Sequence, residues 1–163
     1  MGIVLVRVDS RLIHGQILEA WIPYTKAGAL VVVDDEVEKN LLKRSVMEMA
    51  VPSNIEVSFY TVREAVESYV NGGFSRKRII ILFSNVYDAK AAYDSGFLFD
   101  SLNLGNMHYC DGKVQVSSNL CVGIDDTDAI VDLCRLGVTI DTRSVPGEKK
   151  MEVKKLVKKV RRE

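Results

Sequence analysis

The feature that most constrains this chain is an alternation of short, β-branched apolar runs with stretches whose apolar residues recur at helical spacing. Ile3 to Val8 reads as a buried strand. Ile17, Ala20, Trp21 and Tyr24 then recur at i, i+3, i+4 and i+7, one face of a helix. Ala29 to Val33 is a second buried run, and Asp34 and Asp35 stand where they can cap the next helix. Val37, Leu41, Leu42, Val46 and Met49 give that helix one apolar stripe, expected to face the core, and Pro52 stops it. Ile55 to Tyr60 alternates as a third strand. Thr61 and Glu64 have capping-box spacing and open a helix to about Val70. Arg78 to Phe83 is apolar enough to be a central strand.

Ser84-Asn85 opens a helix that ends near Gly96. Phe99 to Leu104 reads as a fifth strand, with a turn at Leu104-Gly105-Asn106. Met107 to Gly123 is irregular, apart from a short strand expected at Lys113 to Val116. Asp125, Asp126 and Asp128 favour the start of another helix. Val138 to Thr142 is the last strand. Such repetition implies parallel strands joined by right-handed crossovers. The expected fold is α/β: a single domain over 1–163 with a mostly parallel central sheet flanked by helices on both faces. It closes on a basic amphipathic helix at about 149–162.

Composition excludes several classes of function. The 22 basic and 22 acidic residues cancel, so bulk charge gives no reason to expect nucleic acid as a partner. No apolar run approaches the roughly 20 residues that span a bilayer, and the N-terminus has no signal-peptide pattern. A cytoplasmic protein is expected. Cys110, Cys121 and Cys134 are odd in number and widely spaced, which suits reduced thiols better than a disulfide framework or a zinc site. The last segment, Lys149 to Glu163, concentrates eight basic residues against two acidic ones. A solvated, docked helix accounts for it, and contact with a membrane surface or an acidic partner is the alternative.

The chemistry centres on Arg7-Val8-Asp9-Ser10-Arg11-Leu12-Ile13-His14-Gly15-Gln16, where the first strand hands over to the first helix. In parallel sheets, ligands bind at the carboxyl ends of strands. Ser84-Asn85 and the turn around Gly105 also fall just after strands, which makes both, Ser84 among them, candidates to line the same edge. His14 is one of two histidines; His108 is expected in an exposed loop. Metal binding would need further ligands, and Arg7 and Arg11 oppose a cation, so no metal or other cofactor is expected. General base work would need a substrate pocket and partner groups that the sequence does not show. Nucleophilic attack on phosphorus suits the neighbours best. Gly15 and Gln16 would offer helix N-terminal N–H groups to phosphoryl oxygens. Arg11 would neutralise charge on the oxygens, and Arg7 stands close by. Asp9 would orient the imidazole or an arginine. A small nucleotide-binding domain is a competing class, but no Gly-rich loop follows the first strand.

This decapeptide, continuing to Ala20-Trp21, resembles the signature of the enzyme IIB components of the mannose/fructose/sorbose class of the bacterial phosphoenolpyruvate-dependent sugar phosphotransferase system. Ordered satellites extend the likeness over nearly the whole chain: Val32-Val33-Asp34-Asp35, Met49-Ala50-Val51-Pro52, Leu102-Asn103-Leu104-Gly105-Asn106-Met107 and Thr142-Arg143-Ser144-Val145-Pro146. The resemblance implies a relay. A phosphohistidine on an enzyme IIA donates to His14, which passes the phosphoryl group to a sugar held by membrane components IIC and IID. It also implies that Arg11 steadies the group in flight. Ser10 departs from the family, which often has a second Asp there. A regulatory phosphocarrier using the same His14 chemistry, without sugar transport, is the alternative.

Overall fold

The computed structural model describes residues 2–162. Six strands form one parallel sheet in the order β3-β2-β4-β1-β5-β8. They are β1 Gly2–Asp9, β2 Ala29–Val33, β3 Glu56–Tyr60, β4 Arg78–Phe83, β5 Ser101–Asn106 and β8 Thr139–Asp141. A small antiparallel pair, β6 Val114–Gln115 and β7 Cys121–Val122, sits in the irregular stretch. The expected central strand, β4, lies between β2 and β1, and Ile79 to Phe83 are all buried.

Each face of the sheet packs its own core. On one face lie the π-helical turn Gln16–Trp21, which continues into α1 Ile22–Thr25, then α2 Asp35–Lys39 and α3 Leu41–Ala50. They cover Leu30, Val32, Ile80 and Leu82 with Leu12, Ile13, Ile17, Trp21 and Val37. On the other face lie α4 Val62–Val70, α5 Val86–Asp94, α6 Ile124–Arg135 and α7 Val153–Arg161. Their Ala65, Ala89, Ile130, Leu133, Leu156 and Val160 pack on Val6, Val8, Ile81 and Leu104. Thus β1 feeds a helix on one face, while its neighbours β4 and β5 feed helices on the other. A crevice opens at the carboxyl end of such a strand, and His14 lies there.

Three expectations need correction. The stripe from Val37 to Met49 belongs to two helices, because the Asn40 backbone leaves the helical path (φ −101°, ψ 94°) and its side chain caps α3 by accepting from the Lys43 N–H at 3.1 Å. Only Val37 is buried: Leu41, Leu42, Val46 and Met49 are exposed, at 60–86%. The expected turn at Leu104-Gly105-Asn106 is the end of β5 itself, which pairs with β1 through Asp9 and Asn106. The helix after His14 is π-wound in its first part, with the Ile22 N–H donating to the Ile17 carbonyl.

Candidate active site at the end of the first strand

Side chains alternate across a strand, so Arg7 and Asp9 leave β1 on the face opposite Val6 and Val8. They enter the layer of the π-helix, beneath the segment that follows β8. Arg7 pairs in register with Asn103 of β5. The register then slips: Val8 faces Leu104, but Asp9 faces Asn106. This bulge takes up Gly105 and turns Asn106 toward Asp9, a re-aiming that bulges commonly perform beside functional sites.

The carboxylate of Asp9, fully buried, is the hub. Its Oδ2 accepts from Arg7 Nε at 3.0 Å, Arg7 Nη2 at 2.9 Å and Asn106 Nδ2 at 2.9 Å, and stands 2.7 Å from His14 Nε2. Its Oδ1 accepts from the backbone N–H of Arg11 at 2.9 Å. Burial alone would raise its pKa. The hydrogen bond to His14, the charge of Arg7 and the Asn106 amide outweigh burial and hold it below the ordinary carboxylate value.

Arg7 is also fully buried, and its donors are spent inside the protein. Besides Asp9, it reaches Asn103 Oδ1 at 2.8 Å, the Ser144 carbonyl at 2.9 Å and Gln16 Oε1 at 3.0 Å. Burial lowers its pKa from the ordinary guanidinium value, against the raising effect of Asp9. Gln16 Oε1 also accepts from Asn106 Nδ2 at 2.8 Å, which closes a ring of Arg7, Asp9, Asn106 and Gln16. A Cβ on Gly105 would lie 1.9 Å from Arg7 Cζ, so only glycine leaves room for the guanidinium.

The roof is held the same way. Trp21 Nε1 donates to the Ser144 carbonyl at 2.8 Å, and the Arg7 and Arg143 guanidinium carbons lie 5.5 and 5.7 Å from the Trp21 ring centroid. Asp141 takes Arg143 on both oxygens, with Nη2 at 2.9 Å from Oδ2. Between Asp9 and His14 the chain reverses through Leu12, whose φ of 57° is left-handed while its side chain is buried. A non-glycine residue holds such a backbone only when packing over-determines it. The reversal brings the imidazole, three residues past Arg11, back over the Asp9 carboxylate.

The sequence-predicted residues separate clearly. Asp9, Arg7, Gln16 and His14 are brought together. Arg11 contributes its backbone N–H to Asp9 and leaves its side chain exposed. Gly15 is exposed, has ordinary right-handed helical angles (φ −51°), and has open space where a Cβ would stand. Ser84 stands at the same edge, next to Phe83, which pairs with Val8. Its Oγ accepts from Asn85 Nδ2 at 3.1 Å, and Asn85 rather than Ser84 caps α5. His108 is exposed. The segment around Gly105, expected to line this edge, contributes Asn106 and the space at Gly105, while Asn103 and the Ser144 carbonyl are site members that residue-by-residue reading missed. The signal was present in the Asn-Leu-Gly-Asn spacing, which is unfavourable for a plain strand. No cluster of His, Cys, Asp and Glu fit to hold a metal occurs among the described residues.

Comparison with known proteins identifies the family. The family described as "PTS system sorbose subfamily IIB component" matches residues 3–163. The sorbose-specific EIIB component of Lacticaseibacillus casei is 31% identical over 153 residues, covering 94% of this chain and 93% of that one. The N-acetylgalactosamine-specific phosphotransferase enzyme IIB component 2 of Escherichia coli (strain K12) is 32% identical over 156 residues, covering 96% and 99%. Against the mannose-specific EIIAB component of Escherichia coli (strain K12), 29% identical over 160 residues, this chain spans 50% of the longer protein. The crystal structure of the IIBSor domain of the sorbose permease from Klebsiella pneumoniae superposes with a TM-score of 0.88 at 28% identity, covering 99% of this chain and 98% of that one. The chain therefore belongs to the sorbose-subfamily IIB components of the sugar phosphotransferase system, and its general role is phosphotransfer.

Proposed function

We propose that His14 is the phosphoryl carrier, accepting from a phosphohistidine of an enzyme IIA partner and donating to a sugar held by membrane components IIC and IID. The observation that carries this is the 2.7 Å contact between His14 Nε2 and the buried Asp9 carboxylate. Asp9 accepts only, so Nε2 carries the proton and Nδ1 keeps its lone pair. Every buried side-chain nitrogen or oxygen among the described residues has a partner, and Nδ1 makes no hydrogen bond there, so Nδ1 is the atom open to solvent.

In the first transfer the Nδ1 lone pair forms a bond to phosphorus. The N–P bond on the donor histidine breaks, and its electron pair stays with the donor imidazole. Nε2–H remains on Asp9 throughout, so the positive ring that forms on His14 is met by a carboxylate already in place. In the second transfer a sugar hydroxyl oxygen attacks phosphorus, its proton passing to a base of the accepting assembly, and Nδ1 recovers its lone pair. Arg11, whose side chain is exposed, supplies charge to the phosphoryl oxygens in flight. The N–H groups of Gly15 and Gln16, at the opening of the helix, supply neutral donors. Ser84, from the adjoining strand end, adds a hydroxyl to the same edge. Arg7, Asn106 and the Gln16 side chain position Asp9.

The protein reaches the membrane through these partners and works from the cytoplasmic side. No helix among the described residues is long and apolar enough to cross a bilayer. The test is to incubate the chain with a phosphorylated IIA component. Wild type is expected to take an acid-labile, base-stable label, with the phosphorus on Nδ1 by NMR. A His14→Gln variant that labels as well as wild type refutes the proposal.

A further inference from the structure

The charge of this chain is segregated. Residues 149–163 hold eight basic and two acidic residues, while the whole chain balances at 22 of each, so the preceding part carries a net charge of minus six. Helix α7 lies along α6, with Leu156 and Val160 buried beneath it. Between the two helices runs an open groove of about 710 Å³. Its floor is apolar, made by Val131, Val153, Val157 and Cys134, and its rim is basic, made by Arg135, Lys154, Lys158, Arg161 and Arg162. The rim is little neutralised from within. Arg161 meets Asp128 at 3.8 Å and Arg135 meets Asp132 at 3.5 Å, both at the surface. Lys154, Lys155 and Lys158 make no ion pair among the described residues.

We propose that this groove is a docking surface for the anionic headgroups of a phospholipid bilayer. An apolar strip inside a ring of cations is the pattern of an interfacial contact: the strip meets the acyl boundary while the cations reach headgroups. On the rim, Lys154 and Lys158 place compact charges on flexible stems that can lie along the apolar floor, and Arg135, Arg161 and Arg162 add planar forks that match phosphate oxygens. The groove belongs to the layer opposite the π-helix, so a membrane held there leaves the His14 edge free to exchange partners. This surface does not depend on the chemistry assigned to His14.

The test is flotation of the whole chain with vesicles of phosphatidylglycerol and phosphatidylcholine, and with phosphatidylcholine alone, at low and raised salt. Retention is expected on the anionic vesicles alone and should fall with salt. Removing three cations with Lys154→Gln, Lys158→Gln and Arg162→Gln should weaken partitioning roughly a hundredfold. A second variant removes three exposed cations elsewhere, Lys39→Gln, Lys43→Gln and Arg76→Gln, and should bind as wild type does. Equal loss in both variants, or no retention on anionic vesicles at low salt, overturns the proposal. So does capture by poly-glutamate without capture by vesicles, which would assign the groove to an acidic protein segment.

Discussion

Gly105→Ala tests the architecture behind His14 more sharply than a change at His14 itself. A methyl at this position would stand 1.9 Å from Arg7 Cζ and 2.2 Å from its Nη2. An exposed arginine would swing its far end aside at little cost. This one is fully buried and tied by hydrogen bonds to Asp9, Asn103, Gln16 and the Ser144 carbonyl. Forcing a methyl into a packed site costs about 1–3 kcal/mol. Losing one hydrogen bond to a buried charge adds roughly 1.5–3 kcal/mol. The expected loss is therefore about 2.5–6 kcal/mol, a large share of the roughly 5–15 kcal/mol that holds a domain folded. Urea unfolding measures it, and the rate of phosphoryl uptake at His14 should fall with it, because Asp9 follows Arg7. The decisive measurement is a cycle with Arg7→Met, which removes the guanidinium. In that background Gly105→Ala should cost about 1–3 kcal/mol less, because the methyl then meets a flexible, uncharged side chain. A Gly105→Ala chain within about 0.5 kcal/mol of wild type, or a cycle with no coupling, would show that the guanidinium does not occupy the space assigned to it.

Other outcomes follow from the same geometry. Asp9→Asn keeps the shape but strips a buried arginine of its carboxylate, which should cost about 3–5 kcal/mol in unfolding experiments and slow phosphoryl uptake. Asp9 and Asp141 both have folded pKa values below their ordinary ones: Asp9 through His14, Arg7 and Asn106 against burial, and Asp141 through Arg143 against burial. The stability they add is present above the unfolded carboxylate pKa of about 4 and is lost as pH falls through their folded values. Acid titrations should therefore show a steep loss below about pH 4, shallower in Asp141→Asn. Asp88 runs the other way, raised by burial and by Asp34 and Asp35, so Asp88→Asn should increase stability at neutral pH. Trp21→Phe removes the donor to the Ser144 carbonyl and should cost about 1–2 kcal/mol by thermal or urea unfolding.

The order of strands and helices was legible because buried parallel strands are apolar throughout and their helices are striped. What the stripe does not say is whether anything covers it. Leu42, Val46 and Met49 fall at helical spacing just as core residues do, yet α3 buries none of its side chains. Asn40 reads as one more polar position in a long helix until its side chain is seen capping a new one. The side-chain partners of the site were legible only in its contiguous part. Asp9, His14 and Gln16 are neighbours in sequence, and their chemistry suggests their meeting. Asn103 and Asn106 arrive from β5 across the sheet, through a bulge that breaks strand periodicity, and the same glycine that looks like a turn is the space Arg7 fills. Arg7 and Arg11 are equally basic in sequence. Burial separates them, one wholly internal and one exposed.

With His14 as the carrier, as proposed, that separation bears on why a buried ion pair would be kept behind the nucleophile. A carboxylate devoted to His14 alone would favour a positive imidazole strongly, and a phosphoryl group on such a ring would be slow to leave. Here the oxygen that meets Nε2 also accepts two N–H groups of Arg7 and one of Asn106, so its charge is shared before the imidazole draws on it. The ring is held in one tautomer and one orientation, while the stabilisation of its charged form stays moderate. On the proposed reading that balance is what a relay needs, since the same nitrogen must first win the phosphoryl group and then release it. Asn106→Ala tests the reasoning, because it removes one competitor for Oδ2 and leaves Arg7 and His14 in place. Phospho-His14 should then be longer-lived toward the accepting assembly, with uptake from the donor little changed. A variant that speeds both transfers alike would show that Asn106 holds Asp9 in place without tempering its charge.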